Sequence, residues 1–308
     1  MKQYLLLVDD EQYYPELNNV DICSIYYRIP KILRIIRLFH HKYPVLKCLR
    51  HIWLGNWKNN VRHYDKIVIY DSIYDDSILD YLKKNTSAKI ALCYRNRVLQ
   101  RTTHKFLTKN TQELRDKFGC ELWSYSQDDC HSFNMNYYSQ FLLQQKLQTD
   151  YYIQDVFFVG RDKGRLHKIM QIGEMLAKHS VSYKFCIVPD DENQYTIKER
   201  AYMTSSMTYQ EVLENIKCSK CILDVVSEDN YGLTYRPLEA LFYGKKLLTN
   251  YTDIKCADFY DKENIFVIGD DDEKALSSFV NSSFKELSAD TKNKYSFQSF
   301  LNLIFRED

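Results

Sequence analysis

Three clusters of charged residues in this 308-residue sequence have types and spacings that can do chemistry. In "GLTYRPLEALFYGKKLLTN" (232–250), Arg236 and Glu239 fall one turn apart at the start of an expected helix. A helix N-terminus offers unbonded N–H groups and a partial positive charge, so it holds phosphate well. Gly232 allows close approach of backbone to a ligand, and Thr234 suits the N-cap. Pro237 fits the first turn, where its missing N–H costs nothing, although it pushes Arg236 off helical angles. Arg236 adds a forked positive charge, and Glu239 is an acceptor able to take two hydroxyls of a ribose. The plain alternative is a surface ion pair that complements the helix dipole. Gly244 and Lys245 close the helix.

The second cluster is "FVGRDKGR" (158–165), a strand broken at Gly160 and followed by Arg161, Lys163 and Arg165 at the next helix start. Two cationic strand ends in one domain suit a bridged diphosphate; solvated charge at a turn competes with that reading. The third cluster, Asp9, Asp10 and Glu11, follows the first strand. Carboxylates there can act as a general base or simply cap the turn. No metal site is expected. The string "GDDDEK" (269–274) follows a late strand and reads as an acidic helix start. Cys218 and Cys221 form a lone CxxC without the second pair zinc would want. They read as ordinary residues at a helix-to-strand junction.

The elements that must position these clusters alternate in type. Short apolar runs at 4–10, 65–72, 88–96 and 120–129 read as strands, with a helix at 75–85. Further strands fall at 155–162, 183–190 (stopped by Pro189), 221–227, 246–250 and 264–271. Helical patterns occupy 163–180, 209–220 and 296–308. This alternation predicts an α/β protein with parallel sheets in two halves joined near 138–153.

Bulk composition narrows the function. A net charge of +1 does not mark a polyanion binder. Nine irregularly spaced cysteines imply free thiols in a reducing compartment. No secretory leader pattern and no apolar run long enough to span a membrane is present, so a cytoplasmic location is expected. No GxGxxG follows the first strand, which argues against a dinucleotide-binding dehydrogenase.

The ordered stretches "VFFVGRDKGRL", "YQEVLENIKCSKCILDVV" and "GLTYRPLEALFYGKKLLTN" resemble the donor-binding half of GT-B glycosyltransferases, nearest to bacterial enzymes of lipopolysaccharide and capsule assembly. The resemblance covers about residues 155–270. It implies two Rossmann-like domains facing each other across a cleft: 1–145 on the acceptor side, 146–292 for the donor, and a terminal helix, 293–308, packing back on the first. It implies a nucleotide-sugar donor held by Gly160, Arg161, Lys163, Arg165, Pro189, Glu228, Asp229, Gly232, Leu233, Thr234, Arg236 and Glu239, with no cofactor. Tyr94, Arg95, Asn96 and Asp128 would face the cleft and acceptor, or serve turns and caps. Many retaining members carry a second glutamate eight positions before the first. Here that position is Tyr231, with Glu228 and Asp229 nearest, which leaves the stereochemistry open.

Between Asp21 and Asp65 the sequence has no acid, while 28–63 holds nine Lys/Arg and four His. Lys31, Arg34 and Arg37 interleave with apolar residues, with Trp53 and Trp57 nearby. The stretch reads as a contact with an anionic membrane at the inner face of the cytoplasmic membrane, suited to a polyprenyl-linked acceptor. A core helix with a solvated basic face is the alternative, and no nucleic-acid motif accompanies the charge. The expected activity is metal-independent glycosyl transfer to a glycan or lipid-linked acceptor. A degenerate scaffold subunit and a sugar-nucleotide epimerase of the same fold are the competing functions.

Overall fold

The computed structural model describes residues 3–42, 51–70, 76–98, 111–143, 151–190, 195–226 and 233–306. They fall into two units, Met1–Ser139 with Phe300–Asp308, and Gln140–Ser299.

In the first unit, β1 (Tyr4–Val8) is followed by β2 (Val20–Ser24), α1 (Lys31–Lys42), β3 (Lys66–Tyr70), α2 (Ser77–Asn85) and β4 (Lys89–Tyr94). Then come α3 (Thr111–Phe118), β5 (Glu121–Ser124), α4 (Gln127–Phe133) and the two-residue β6 (Asn136–Tyr137). The strands pair in parallel in the order β2-β1-β3-β4-β5-β6. Leu5, Leu7, Ile67, Ile69, Ile90 and Leu92 build the core on one face. β2 has no apolar run because it is an edge strand with Asp21 facing solvent. The strand expected over 120–129 stops at Ser124. Ser126 accepts a bond from the Asp129 N–H at 3.4 Å and starts α4 instead.

The second unit contains β7 (Gln154–Arg161), α5 (Leu166–Lys178), β8 (Tyr183–Val188), α6 (Ile197–Arg200), α7 (Tyr209–Lys217) and β9 (Ser219–Asp224). It continues with α8 (Tyr235–Phe242), β10 (Lys246–Thr249), β11 (Ile265–Val267), α9 (Leu276–Asn281) and α10 (Ala289–Lys294). Its parallel sheet has the order β11-β10-β9-β7-β8. The strands are apolar at successive positions because helices cover both faces. Phe157, Ile222 and Leu247 pack with Leu238 and Leu241 of α8. Val156, Phe158 and Leu223 pack with Ile169, Ile172 and Leu176 of α5. The last helix, α11 (Phe297–Ile304), begins in this unit, where Phe297 meets Phe141. It ends in the first, where Phe300 meets Tyr70 and Tyr138 and the following Phe305 stacks on Tyr4.

Each sheet reverses its strand order once, between β1 and β3 and between β7 and β9. Such switch points leave a crevice outside the carboxyl ends of the strands, where ligands bind in open α/β sheets.

The basic segment is not a core helix with a solvated basic face. In α1 the residues turned to the body are Arg37, over the Tyr26 ring at 4.9 Å, and the buried His40, whose Nδ1 accepts from Trp53 Nε1 at 2.8 Å. Arg34 is exposed and donates to Ile29 O at 3.2 Å. Trp57 does not reach a surface. It is buried and donates to Ile25 O at 3.1 Å, so its expected membrane contact is corrected to a core position.

Candidate functional site

Three adjacent strands of the second unit end in aspartate: Asp162 just after β7, Asp190 two residues after β8, and Asp224 closing β9. These carboxylates organise the cations expected there. Asp162 Oδ1 accepts the Leu166 N–H at 2.7 Å, opening α5, and its Oδ2 accepts from Tyr195 at 2.7 Å. Tyr195 in turn accepts the Asp190 N–H at 3.0 Å. Asp190 bonds Arg161 Nε at 3.3 Å and the Lys163 N–H at 2.6 Å. Arg161 also donates to Pro189 O at 3.2 Å, so Pro189 enters the site through its carbonyl.

The β7–α5 turn has an unusual backbone. Lys163 has φ +48°, in the left-handed region, and Gly164 follows with φ +74°. A lysine rarely adopts this conformation. The Asp190 bond to its N–H holds it there, and its exposed ammonium has no partner among the described residues.

Gly160 does not break the strand; β7 pairs with β8 through Arg161, opposite Val188. A Cβ at Gly160 would come 3.3 Å from the Phe158 ring and 3.4 Å from the Arg165 guanidinium. The glycine makes room for Arg165, which lies over Phe158 and donates to Asp162 O at 3.1 Å, to Arg161 O at 2.5 Å and to Val225 O. Arg165 therefore ties the ends of β7 and β9 together, and burial pulls its pKa down.

Across the switch point, Arg236 pairs with the buried Glu239 and donates to Val159 O at 2.9 Å. Burial opposes the Arg236 charge, but Glu239 and Asp224 more than offset this and raise its pKa. Thr234 occupies the N-cap position without capping; its hydroxyl donates to Asp224 at 3.0 Å. Leu233 packs against the core under α8. Asp224 is buried, and desolvation lifts its carboxyl to about 6 even though Thr234, Arg236 and Arg165 favour the anion. Asn250 accepts the Val226 N–H at 2.8 Å and donates to Val226 O at 3.0 Å, fixing the chain where it leaves β9. Glu228, Asp229 and Gly232 lie outside the described residues. Lys245 does not serve the end of α8; its ammonium donates to Lys217 O at the end of α7 at 2.9 Å, and burial pushes it down to about 8.

Asp162, Asp190, Asp224, Tyr195 and Asn250 were not picked out from the sequence. The repeated "GRD", "VPD" and "ILD" at strand ends was a readable signal for the three aspartates.

At the switch point of the first unit, Asp10 bonds Arg28 at 2.5 Å and the Gln12 N–H at 3.3 Å. Glu11 accepts the Ser24 N–H at 2.5 Å. Both serve the turn. Asp9 meets Arg95 at 3.2 Å, and Arg95 lies over the Tyr70 ring. Tyr94, expected in the cleft, is in the core because it faces inward at the end of β4, and its carbonyl accepts from Tyr138 at 2.7 Å. Asn96 is exposed. Asp128 bonds Arg97 at 3.0 Å in the first turn of α4. The acids of 269–274 all serve protein groups: Asp270 pairs with Lys255, Asp271 accepts the Val267 N–H, Asp272 caps a short helix, and Glu273 pairs with Lys178 and His179. Among the described residues no cluster of His, Cys, Asp or Glu could hold a metal, and no helix is long and apolar enough to cross a membrane.

No family profile matches the sequence, and no curated protein is similar to it in sequence. Solved structures are similar in fold. TarM matches with a TM-score of 0.52 at 12% identity, over 78% of this chain and 54% of that one. An S. aureus TarM point mutant in complex with fondaparinux, alpha-GlcNAc-glycerol and UDP gives 0.52 at 13%, over 79% and 56%. The DNA-modifying enzyme beta-glucosyltransferase, solved with and without uridine diphosphoglucose, gives 0.50 at 13%, over 99% and 95%. The chain spans little more than half the length of the TarM chains. With its two parallel α/β units, the chain has the GT-B glycosyltransferase fold.

Proposed function

We propose that the protein is a glycosyltransferase that moves a sugar from a nucleotide-sugar to a glycan or lipid-linked acceptor in surface polysaccharide or lipopolysaccharide assembly. The observation that carries this reading is the charged rim at the β7–β9 switch point, with the N-terminus of α8 and a Lys163 ammonium that has no partner among the described residues. The donor diphosphate sits against Lys163, Arg161 and the first-turn N–H groups of α8, which lack a side-chain cap. Arg236, held by Glu239 and by Val159 O, turns its remaining N–H groups to phosphate, and the second carboxylate oxygen of Glu239 takes the ribose hydroxyls. As the glycosidic bond breaks, these fixed positive groups stabilise the departing diphosphate, and no metal ion is required. In the first unit Asp9, oriented by Arg95, is the best-placed carboxylate to take the acceptor proton, because Asp10 and Glu11 are committed to the turn. The protein works in the cytoplasm and touches the membrane through the basic segment.

A second reading is a scaffold subunit that no longer turns over donor. It is favoured by the charge balance of the rim, where Arg161, Arg165 and Arg236 already bond protein acceptors. Thermal-shift measurements with a panel of nucleoside diphosphates and their sugars, repeated on Glu239→Gln, test the proposal. Stabilisation by one nucleotide, reduced in the variant, followed by donor hydrolysis or transfer, is the expected result. Nucleotide binding without turnover on any acceptor selects the scaffold, and no binding removes both readings.

A further inference from the structure

α1 takes no part in the proposed donor site. Its apolar residues are largely exposed. Ile32 is 71% exposed, Phe39 59%, and Ile35, Ile36 and Leu38 are each more than half exposed. The side that packs inward carries Arg37, over Tyr26, and the buried His40. At 100° per residue the exposed apolar positions form one continuous ridge along a helix roughly 18 Å long. A ridge of this size on a water-soluble surface marks a partner site.

We infer that α1 lies in the plane of a lipid bilayer and inserts the ridge Ile32, Ile35, Ile36, Leu38 and Phe39 below the headgroups. This rests on the membrane contact proposed above and changes its physical basis. The basic residues do not make the contact; they flank an apolar wedge. The occupant is a bilayer containing anionic lipid rather than a second copy of the chain, because residues 22–64 contain no acid. Two copies meeting on this face would bring like charges together, whereas anionic headgroups complement them. Twelve residues are too few to cross a membrane but enough to lie along it.

The test is flotation of the full chain with vesicles of phosphatidylcholine alone or mixed with phosphatidylglycerol. It is run at low salt and at about 1 M salt, where the screening length is about 3 Å. Ile32→Ser/Ile35→Ser/Phe39→Ser is compared with Lys31→Gln/Arg34→Gln, and unchanged unfolding temperatures confirm that both variants fold. Insertion predicts that binding to the mixed vesicles survives high salt. It predicts that the apolar variant loses on the order of a hundredfold in affinity. The charge variant loses no more than about thirtyfold at low salt, a loss that high salt removes. Binding abolished by salt and by the charge variant, with the apolar variant unaffected, overturns insertion and leaves an electrostatic contact standing. Absence of wild-type binding to every vesicle overturns the membrane contact itself, independently of nucleotide binding. A lipid-free dimer dissolved by the apolar variant assigns the ridge to a second copy and also overturns insertion.

Discussion

The two switch points are built from the same parts and handle charge in opposite ways. In the second unit the carboxylates Asp162, Asp224 and Glu239 are buried, and the arginines are clamped onto them or onto strand-end carbonyls. In the first unit the corresponding pairs, Asp9–Arg95 and Asp10–Arg28, lie at the surface. A buried pair is held rigidly, and removing one partner strands a charge in low dielectric. A solvated pair contributes little to folding and rearranges freely. The rim of the second unit is therefore preorganised, while the first unit keeps groups free to rearrange.

The sharpest way to break this contrast is Glu239→Ala. It leaves Arg236 beside a vacated buried site and is expected to lower unfolding free energy by about 3–5 kcal/mol, measured by denaturant titration. The burial of Glu239 makes Glu239→Gln the better probe of binding.

Next in size is a pH effect. The Asp224 carboxyl is lifted to about 6 by burial, so its ionisation opposes the folded state. The stability linked to the protonated form is fully present below about pH 4, the ordinary carboxylate range, and is lost as pH rises through about 6. Across that window wild type should lose about 3 kcal/mol relative to Asp224→Asn, measured from parallel unfolding curves. Parallel pH profiles for the two proteins would contradict the assignment.

These residues also mark what was legible in the sequence. The alternation of apolar runs and helical patterns located most of the strands and the two halves, because buried parallel strands are apolar on both faces. Strand order was not readable, since it depends on which crossovers pack, and the switch points follow from that order. Arg236 and Glu239 were visible from one-turn spacing, but their mutual burial was not, because it depends on Val159 and Asp224 from other strands. Tyr94 and Trp57 misled for a related reason. Amphipathic rings at a strand end or in a basic segment look like surface residues until the packing on them is known. The orientation of α1 was ambiguous because basic and apolar residues alternate around it, and only the contacts of Arg37 and His40 settle which face is inward.

The smallest expected effect on stability is at the exposed pair. Asp9→Asn should change unfolding free energy by less than about 1 kcal/mol. If Asp9 takes the acceptor proton, the same variant should lose most of its transfer rate while binding nucleotide as wild type does, read from initial rates and calorimetry. A large loss of stability would show that the first unit is as locked as the second.

In the proposed complex the donor diphosphate binds at the β7–β9 switch point against the Lys163 ammonium, which has no partner among the described residues. The most direct measurement is calorimetric titration of the nucleoside diphosphate selected by the thermal-shift panel into wild type and Lys163→Gln. Lys163 is exposed, so its replacement leaves unfolding unchanged and isolates binding. The expected result is a loss of about tenfold or more in affinity, the scale of one charge-assisted bond to phosphate. Equal affinity in the two proteins would place the diphosphate elsewhere and contradict it.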